Sequence, residues 1–447
     1  MKTTLPEKVQ KYLEKYGCQR WKLEIKPVLQ FDCVIVVPAI AEYDNLITLL
    51  NSLSENVFSK DYRVAVIFVI NSMETSSQEV KAENRKTLEL FREILNKNHS
   101  HHPVVEKINS TALTIGFIDA ASDGKKMPEK TGGVGFARKI GMDLALTIFD
   151  YSKPEKKIIV CLDADCTIEK DYIEEIIRSF NLRNIKAATI NYEHPLPEDE
   201  EKLKAIICYE IILRYYELGL KYAGSEYAIQ IVGSTMACDY EAYIKVEGMN
   251  KKKAGEDFYF LEKIIKNYKI ERISSTKVFP EGRQSWRVPF GTGQRINRFL
   301  SKSQNEYLLY DSESFIVLKK WLGLFASKNT FSTKDYLQKA KEIHIELFDF
   351  LKQQNFENDW EKILANSKDE RHLISQKIKW FDGFRTLKLI HHLRDTAFPQ
   401  INMFDALNIL FKELNLSPIN ERTDEIPEVS VQLDYLQTLR NILNNDN

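Results

Sequence analysis

Residues 157–173 read KIIVCLDADCTIEKDYI, an apolar run that ends in two aspartates one residue apart. Ile158, Ile159, Val160, Cys161 and Leu162 have the pattern of a strand covered on both faces, and Asp163 and Asp165 stand where the chain leaves the sheet. Residues i and i+2 of an extended segment point the same way. Two carboxylates aimed together repel each other, so a cation or a shared proton is needed to hold them there.

The surroundings of this stretch set the fold. From Phe31 to Tyr192 strand-like runs alternate with amphipathic segments: CVIVVPAIA, a helix over 44–53, VAVIFVI, a helix over 79–95, LTIGFID, a helix over 134–149, IIVCL, a helix over 170–181 and KAATINY. That alternation predicts an α/β fold with a mostly parallel sheet and helices on both faces. Ligands in such sheets bind at the carboxyl ends of the strands. Glu42 follows the first strand, Asn71 the second, Asp119 and Asp123 the third, and the paired aspartates the fourth, so polar residues converge on one edge. Beyond Asn297 the strand-like runs stop. Leu318, Trp321, Leu322 and Phe325 fall at helical spacing, and Tyr336, Ala340, Ile343, Leu347 and Leu351 repeat the stripe after a capping box from Ser332 to Asp335. The expected organisation is an N-terminal helical extension over 1–30, an α/β domain over 31–298 and an all-α domain over 299–447, with a loop over 417–430 before a final short helix.

Composition narrows the class. The 447 residues are 43% hydrophobic and 28% charged, with a formal net charge of −1. Such a chain has no global attraction to nucleic acid or to an anionic bilayer, although peripheral membrane contact is compatible with it. There is no apolar leader and no run long enough to span a membrane, so a cytoplasmic location is expected. The six cysteines (Cys18, Cys33, Cys161, Cys166, Cys208, Cys238) contain no CxxC pair and read as buried free thiols.

Three readings of the aspartate pair remain at this point. The DxD at 163–165 grips a divalent cation, Mn2+ or Mg2+, that neutralises a departing diphosphate. Alternatively, DxDxT at 163–167 is the pattern of haloacid-dehalogenase-type phosphatases, in which Asp163 attacks phosphorus and Thr235, a lysine of 251–253 and Asp257 supply the later groups. The third reading is an Asp-rich turn capping the next helix.

The stretch CVIVVPAIAEYDNLITLL, with Pro38 and Glu42, resembles the opening of the family 2 glycosyltransferases. KTGGVGFARKIGMDLAL, with Gly133 and Arg138, is similar to that family's glycines and Ala-Arg pair ahead of the DxD strand. IVGSTMACDYEAYIKVEGMNKKKAGEDFYFLEKI, with Gly233, Ser234, Glu256 and Asp257, resembles its acceptor region. The four motifs keep the family's order from Phe31 to Arg298. The resemblance implies a GT-A fold and sugar transfer from a nucleotide-diphosphate-sugar to an unidentified acceptor. It implies a donor site of Pro38, Glu42, Asn71, Gly133, Arg138, Asp163, Asp165, Arg283 and Arg287, with the metal on Asp163 and Asp165. It also implies an acceptor site of Gly233, Ser234 and Trp286, with Asp257 as the catalytic base and Glu256 competing for that post. Two positions depart from the pattern: Asn71 replaces the aspartate that contacts the base, and Ala41 the asparagine before the first acid. A non-catalytic nucleotide-sugar-binding protein on the same fold is the remaining alternative.

GRQSWRVPFGTGQRINRF places Arg283, Arg287, Arg295 and Arg298 around Trp286 and a Gly-Thr-Gly turn. Guanidinium groups pair with phosphate in bidentate fashion, and an indole offers a flat face to a sugar ring. Retaining relatives supply a late histidine to the metal, and no histidine stands between His194 and His344, so inversion is expected. His99, His101 and His102 lack acidic or cysteine partners and read as a polar surface loop. The lysines at 251–253 read as a solvated run, and His391 and His392 as structural.

Overall fold

The structure is a computed structural model and describes residues 5–27, 29–96, 102–284, 291–420 and 425–444. Nine strands form one sheet: β1 (Leu23–Ile25), β2 (Cys33–Ala39), β3 (Val64–Asn71), β4 (Thr114–Ala120), β5 (Ile158–Cys161), β6 (Cys166–Ile168), β7 (Ala187–Tyr192), β8 (Met236–Asp239) and β9 (Ile270–Pro280). Their order is β1-β4-β3-β2-β5-β8-β7-β9-β6. Strands β4, β3, β2 and β5 run parallel, β7 and β9 run parallel to each other, and β8 lies antiparallel between β5 and β7. Short β1 and β6 close the two edges antiparallel to β4 and β9. This is the mostly parallel α/β sheet the sequence predicts.

Every residue of β2 and of β3 is buried. An apolar run without alternation needs cover on both faces. Of the helices in this unit, α1 spans Glu7–Tyr16, α2 Tyr43–Ser54, α3 Gln78–Asn96, α4 Pro103–Asn109, α5 Val134–Ala145 and α6 Tyr172–Leu182. Phe91 of α3 packs on Phe68 with ring centroids 4.6 Å apart, while Gly141 of α5 meets Val36 and Val69 on the opposite side chains of the same strands. The predicted helices at 44–53, 79–95, 134–149 and 170–181 are therefore present with shifts of a few residues at their ends.

The chain resolves into two compact units, residues 1–195 with 231–290, and residues 196–230 with 291–447. Helix α7 (Glu200–Tyr222), which the sequence places in the α/β domain, packs in the second unit. The reason lies in its partners: Ile207, Ile211, Tyr215 and Leu218 all lie in the helical core, and its buried Glu210 accepts from Arg214 and Arg440 of the same unit at 2.7 and 2.8 Å. The chain then returns to the first unit for α8 (Tyr240–Lys245) and α9 (Glu256–Ile265).

The second unit continues with α10 (Thr292–Leu300), α11 (Glu313–Phe325), α12 (Thr333–Ile343), α13 (Ile345–Gln353), α14 (Phe356–Asn366), α15 (Glu370–Trp380), α16 (Gly383–Thr396), α17 (Met403–Glu413) and α18 (Val429–Asn444). Trp321, Phe325, Tyr336, Phe356 and Trp360 form its aromatic centre. Ser332 caps α12, accepting from the Asp335 amide at 3.2 Å. The single stripe expected from Tyr336 to Leu351 is divided between α12 and α13 by extended His344.

Helix α1 is tied to α5 through a buried carboxylate. Asp143 accepts from Tyr12 and Tyr243 at 2.8 and 2.7 Å and pairs with Lys139 at 3.0 Å. All six cysteines are free and buried. Among the described residues no helix is long and apolar enough to cross a membrane.

Candidate active site at the carboxyl edge of the sheet

The site begins where β2 and β5 part. Their last paired residues are Val36 and Cys161, and the Leu162 amide donates to the Val36 carbonyl at 3.1 Å. Two residues on, Pro38 would present its nitrogen to the same side but has no N–H to donate, so the ladder stops there. Asp163, Ala164 and Asp165 turn away into the gap.

Two further elements are brought to this gap by register. Ala237 of β8 pairs with Val160, which sets the preceding turn of Gly233, Ser234 and Thr235 beside the exit of β5. Cys166 of β6 pairs with Pro280 of β9, and the Glu281 amide donates to the Asp165 carbonyl at 3.1 Å, so Arg283 arrives beside Asp165.

Arg138 of α5 is the centre of the inner cluster. Its side chain is 2% exposed. Its Nη2 donates to Asp163 Oδ1 at 2.7 Å and its Nε to Glu256 Oε1 at 3.1 Å, while Nη1 is buried with no hydrogen-bond partner among the described residues. Gly233 leaves room for it: a Cβ there would stand 2.5 Å from Arg138 Nη2 and 3.7 Å from Asp257 Oδ2. Helix α9 starts from Gly255 in the left-handed region at φ 68°, which aims Glu256 and Asp257 into the cluster from its first turn.

One guanidinium cannot neutralise three carboxylates. Burial, against the attraction of Arg138 and with the repulsion of Asp257, pushes Glu256 up to about 7, and burial also raises Asp257. Because the Glu256 value lies above its ordinary 4.5, the folded chain holds a proton that the unfolded chain releases. The contribution of this group to stability is therefore greatest at acid pH and falls as pH rises through the window from about 4.5 to about 7. Glu256→Gln is expected to flatten that part of the profile, read as urea midpoints at about pH 5 and about pH 7.5. Equal slopes for the two proteins would contradict the assignment.

The outer cluster is built on Arg283. Its Nη2 lies 2.5 Å from Glu42 Oε1 and 3.3 Å from Asp165 Oδ2, and its Nε 3.2 Å from Glu281 Oε2. Glu42 Oε2 accepts from Asn45 at 2.5 Å. Burial and the neighbouring Asp163 push Asp165 up to about 6. Glu281, Asn45 and Asn84 are site residues that the sequence pattern does not mark. The acid two residues before Arg283 was the available signal for Glu281; the two asparagines carried none.

Other expected residues take varied places. Asn71 donates to the Ala39 and Val69 carbonyls at 2.9 and 3.1 Å, and Asn84 joins its carbonyl to the Ala41 amide. Gly133 opens α5 beside Lys253. Ser234 is buried, with no hydrogen-bond partner for its hydroxyl among the described residues. Asp119 accepts from the Ala121 and Ser122 amides and pairs with Lys125, and Asp123 pairs with Lys126, so both are engaged in their own loop. Arg295 and Arg298 pair with Glu306 within the helical unit, at 2.5 and 2.8 Å. Trp286, Arg287, His99 and His101 lie outside the described residues. His102 caps α4, His391 meets Tyr310 at 2.9 Å and His392 meets Glu346 at 3.0 Å.

A divalent cation fits this edge in one manner. Among the described residues no group of three acidic, cysteine or histidine side chains is arranged to hold a metal alone. Asp163 and Asp165 each give one oxygen to an arginine, which leaves Asp163 Oδ2 and Asp165 Oδ1 without a cationic partner among the described residues. A hard cation held by one or two carboxylates completes its shell with water and substrate phosphates.

No protein-family model matches the chain, and no curated protein does. Among solved structures, it is similar to residues 1–349 of S. aureus TarS in complex with UDP-GlcNAc, at 13% identity and a TM-score of 0.35, over 92% of this chain and 91% of that one. It is also similar to the mannosyltransferase PcManGT from Pyrobaculum calidifontis in complex with GDP-Man and Mn2+, at 13% identity and a TM-score of 0.35, over 98% and 94%. The donors and the metal in those crystals are properties of those proteins.

Proposed function

We propose that the chain is a metal-dependent glycosyltransferase that moves a sugar from a nucleotide-diphosphate-sugar to an acceptor, with inversion. The observation that carries this reading is the buried bridge of Arg138 between Asp163 and Glu256. It joins the paired aspartates, the donor end, to the acidic start of α9, the acceptor end, at a single edge of the sheet. A metal bound with the diphosphate would be held by Asp163 and Asp165 and would supply charge for the leaving group. Glu42, Asn71 and Arg283 line the donor side, with Pro38 and Gly133 behind them; Gly233 and Ser234 form the turn on the acceptor side.

Glu256 is committed to Arg138, whereas Asp257 is more exposed and takes the acceptor proton as general base. The proton leaves the acceptor hydroxyl as that oxygen bonds to the anomeric carbon and the diphosphate departs from the opposite face. The lack of a histidine between His194 and His344 supports inversion. The phosphatase alternative gains less support: Asp163 Oδ1 is held by Arg138, and Thr235, its candidate partner, donates to the Val232 carbonyl at 2.8 Å.

The deciding test is Asp165→Asn. It is expected to abolish manganese-dependent binding of nucleoside diphosphates in calorimetry while leaving the thermal midpoint equal to or above that of the parent, since a repelling carboxylate is removed. Unchanged diphosphate affinity in manganese would reject the metal role.

A further inference from the structure

Arg283 occupies an unusual electrostatic position for a residue that the donor reading assigns to phosphate. Its guanidinium lies among three carboxylates, Glu42 at 2.5 Å, Glu281 at 3.2 Å and Asp165 at 3.3 Å. Its second contact to Asp165 runs from Nε at 3.4 Å. It is the only cation paired with Asp165 among the described residues, because Arg138 is spent on Asp163 and Glu256. The side chains of Arg283 and Asp165 are each 28% exposed, so the contact can be broken without opening the core. Arg138, at 2%, has no such freedom.

We propose that Arg283 stands in for the divalent cation in the ligand-free protein, and that its transfer from Asp165 to the incoming diphosphate couples metal binding to donor binding. The proposal rests on the transferase reading for its ligand but makes a separate statement about Asp165. A metal arriving alone must displace a guanidinium that then has only Glu42 and Glu281 left. A metal arriving with a diphosphate gives that guanidinium a better partner, since its planar fork matches two phosphate oxygens. No net charge is stranded: Asp165 exchanges one cation for another, and Arg283 exchanges a carboxylate for a phosphate. Thermodynamic reciprocity then requires that diphosphate strengthen the metal by the same factor as the metal strengthens diphosphate.

The test compares the full chain with Arg283→Gln and Arg283→Lys. Manganese alone is titrated by the electron paramagnetic resonance of the free ion, and UDP and GDP are titrated by calorimetry with and without manganese. In the parent, diphosphate is expected to tighten manganese about tenfold. Arg283→Gln is expected to bind manganese alone about tenfold more tightly than the parent, with the coupling factor falling toward one. Arg283→Lys, which keeps the charge without the fork, should bind manganese alone like the parent and still lose coupling. Unchanged or weaker binding of manganese alone by Arg283→Gln overturns the proposal, as does the absence of manganese binding by both. If neither diphosphate binds the parent at any manganese concentration, the transferase reading fails instead, and the metal-alone comparison still decides the role of Arg283.

Discussion

Asp257→Asn is expected to lower sugar transfer by about 100-fold or more while leaving the affinity for nucleotide-sugar close to that of the parent, as for the loss of a general base. The two carboxylates at the start of α9 face different partners. Glu256 is held by Arg138, whereas the Oδ1 of Asp257 accepts from the neighbouring Phe258 amide at 2.8 Å and its other oxygen lies toward Gly233. An amide at position 257 keeps the shape and removes the proton acceptor. Single-turnover transfer and donor titration on the same preparation separate the two effects. Near-normal turnover of Asp257→Asn, or a product that keeps the donor's anomeric configuration, would defeat both the base assignment and inversion.

Arg138→Met is expected to cost the fold about 3 kcal/mol at neutral pH, because it leaves buried Glu256 and partly exposed Asp163 without their shared cation. The deficit should shrink on acidification, as Glu256, already raised by burial, takes up a proton in place of the lost cation. Arg138→Lys should recover only part of it, since one ammonium cannot reproduce contacts made separately by Nε and Nη2. Urea unfolding at neutral and acid pH measures all three statements. A midpoint for Arg138→Met equal to that of the parent at neutral pH would mean that the bridge carries no such energy.

The regular part of the fold was legible because its signals are local. Strands β2, β3 and β5 are apolar without interruption, and α2, α3, α5 and α6 show helical spacing within short windows. What escaped is set by distant pairing. Strand β1 has three residues and exists as a strand through β4, and the sequence read its region only as part of a helical extension. Helix α7 looked like part of the α/β domain because its position in the chain lies inside that domain; its partners, including Arg440, come about 230 residues later. The same division holds at the site. Sequence named Arg138, Asp163 and Glu256, but nothing in it says that a guanidinium 25 residues from one acid and 118 from the other would join them. Glu42 and Arg283 are 241 residues apart, and they meet through the pairing of β2 with β5 and of β6 with β9.

The place of β8 has a consequence for how this protein is made. The strand enters between β5 and β7, yet it follows both in the chain, and β7 pairs with β8 and β9. As the polypeptide emerges from the ribosome, the ladder from β1 to β5 has all its members by residue 161, whereas β7 waits unpaired while α7 and the turn at Gly233 are still being synthesised. Throughout that interval the nascent chain displays an open edge on β5 and a β7 without its partners. Such edges recruit other strands, so the interval between residues 192 and 236 is when a growing chain is most exposed to mispairing and to chaperone capture.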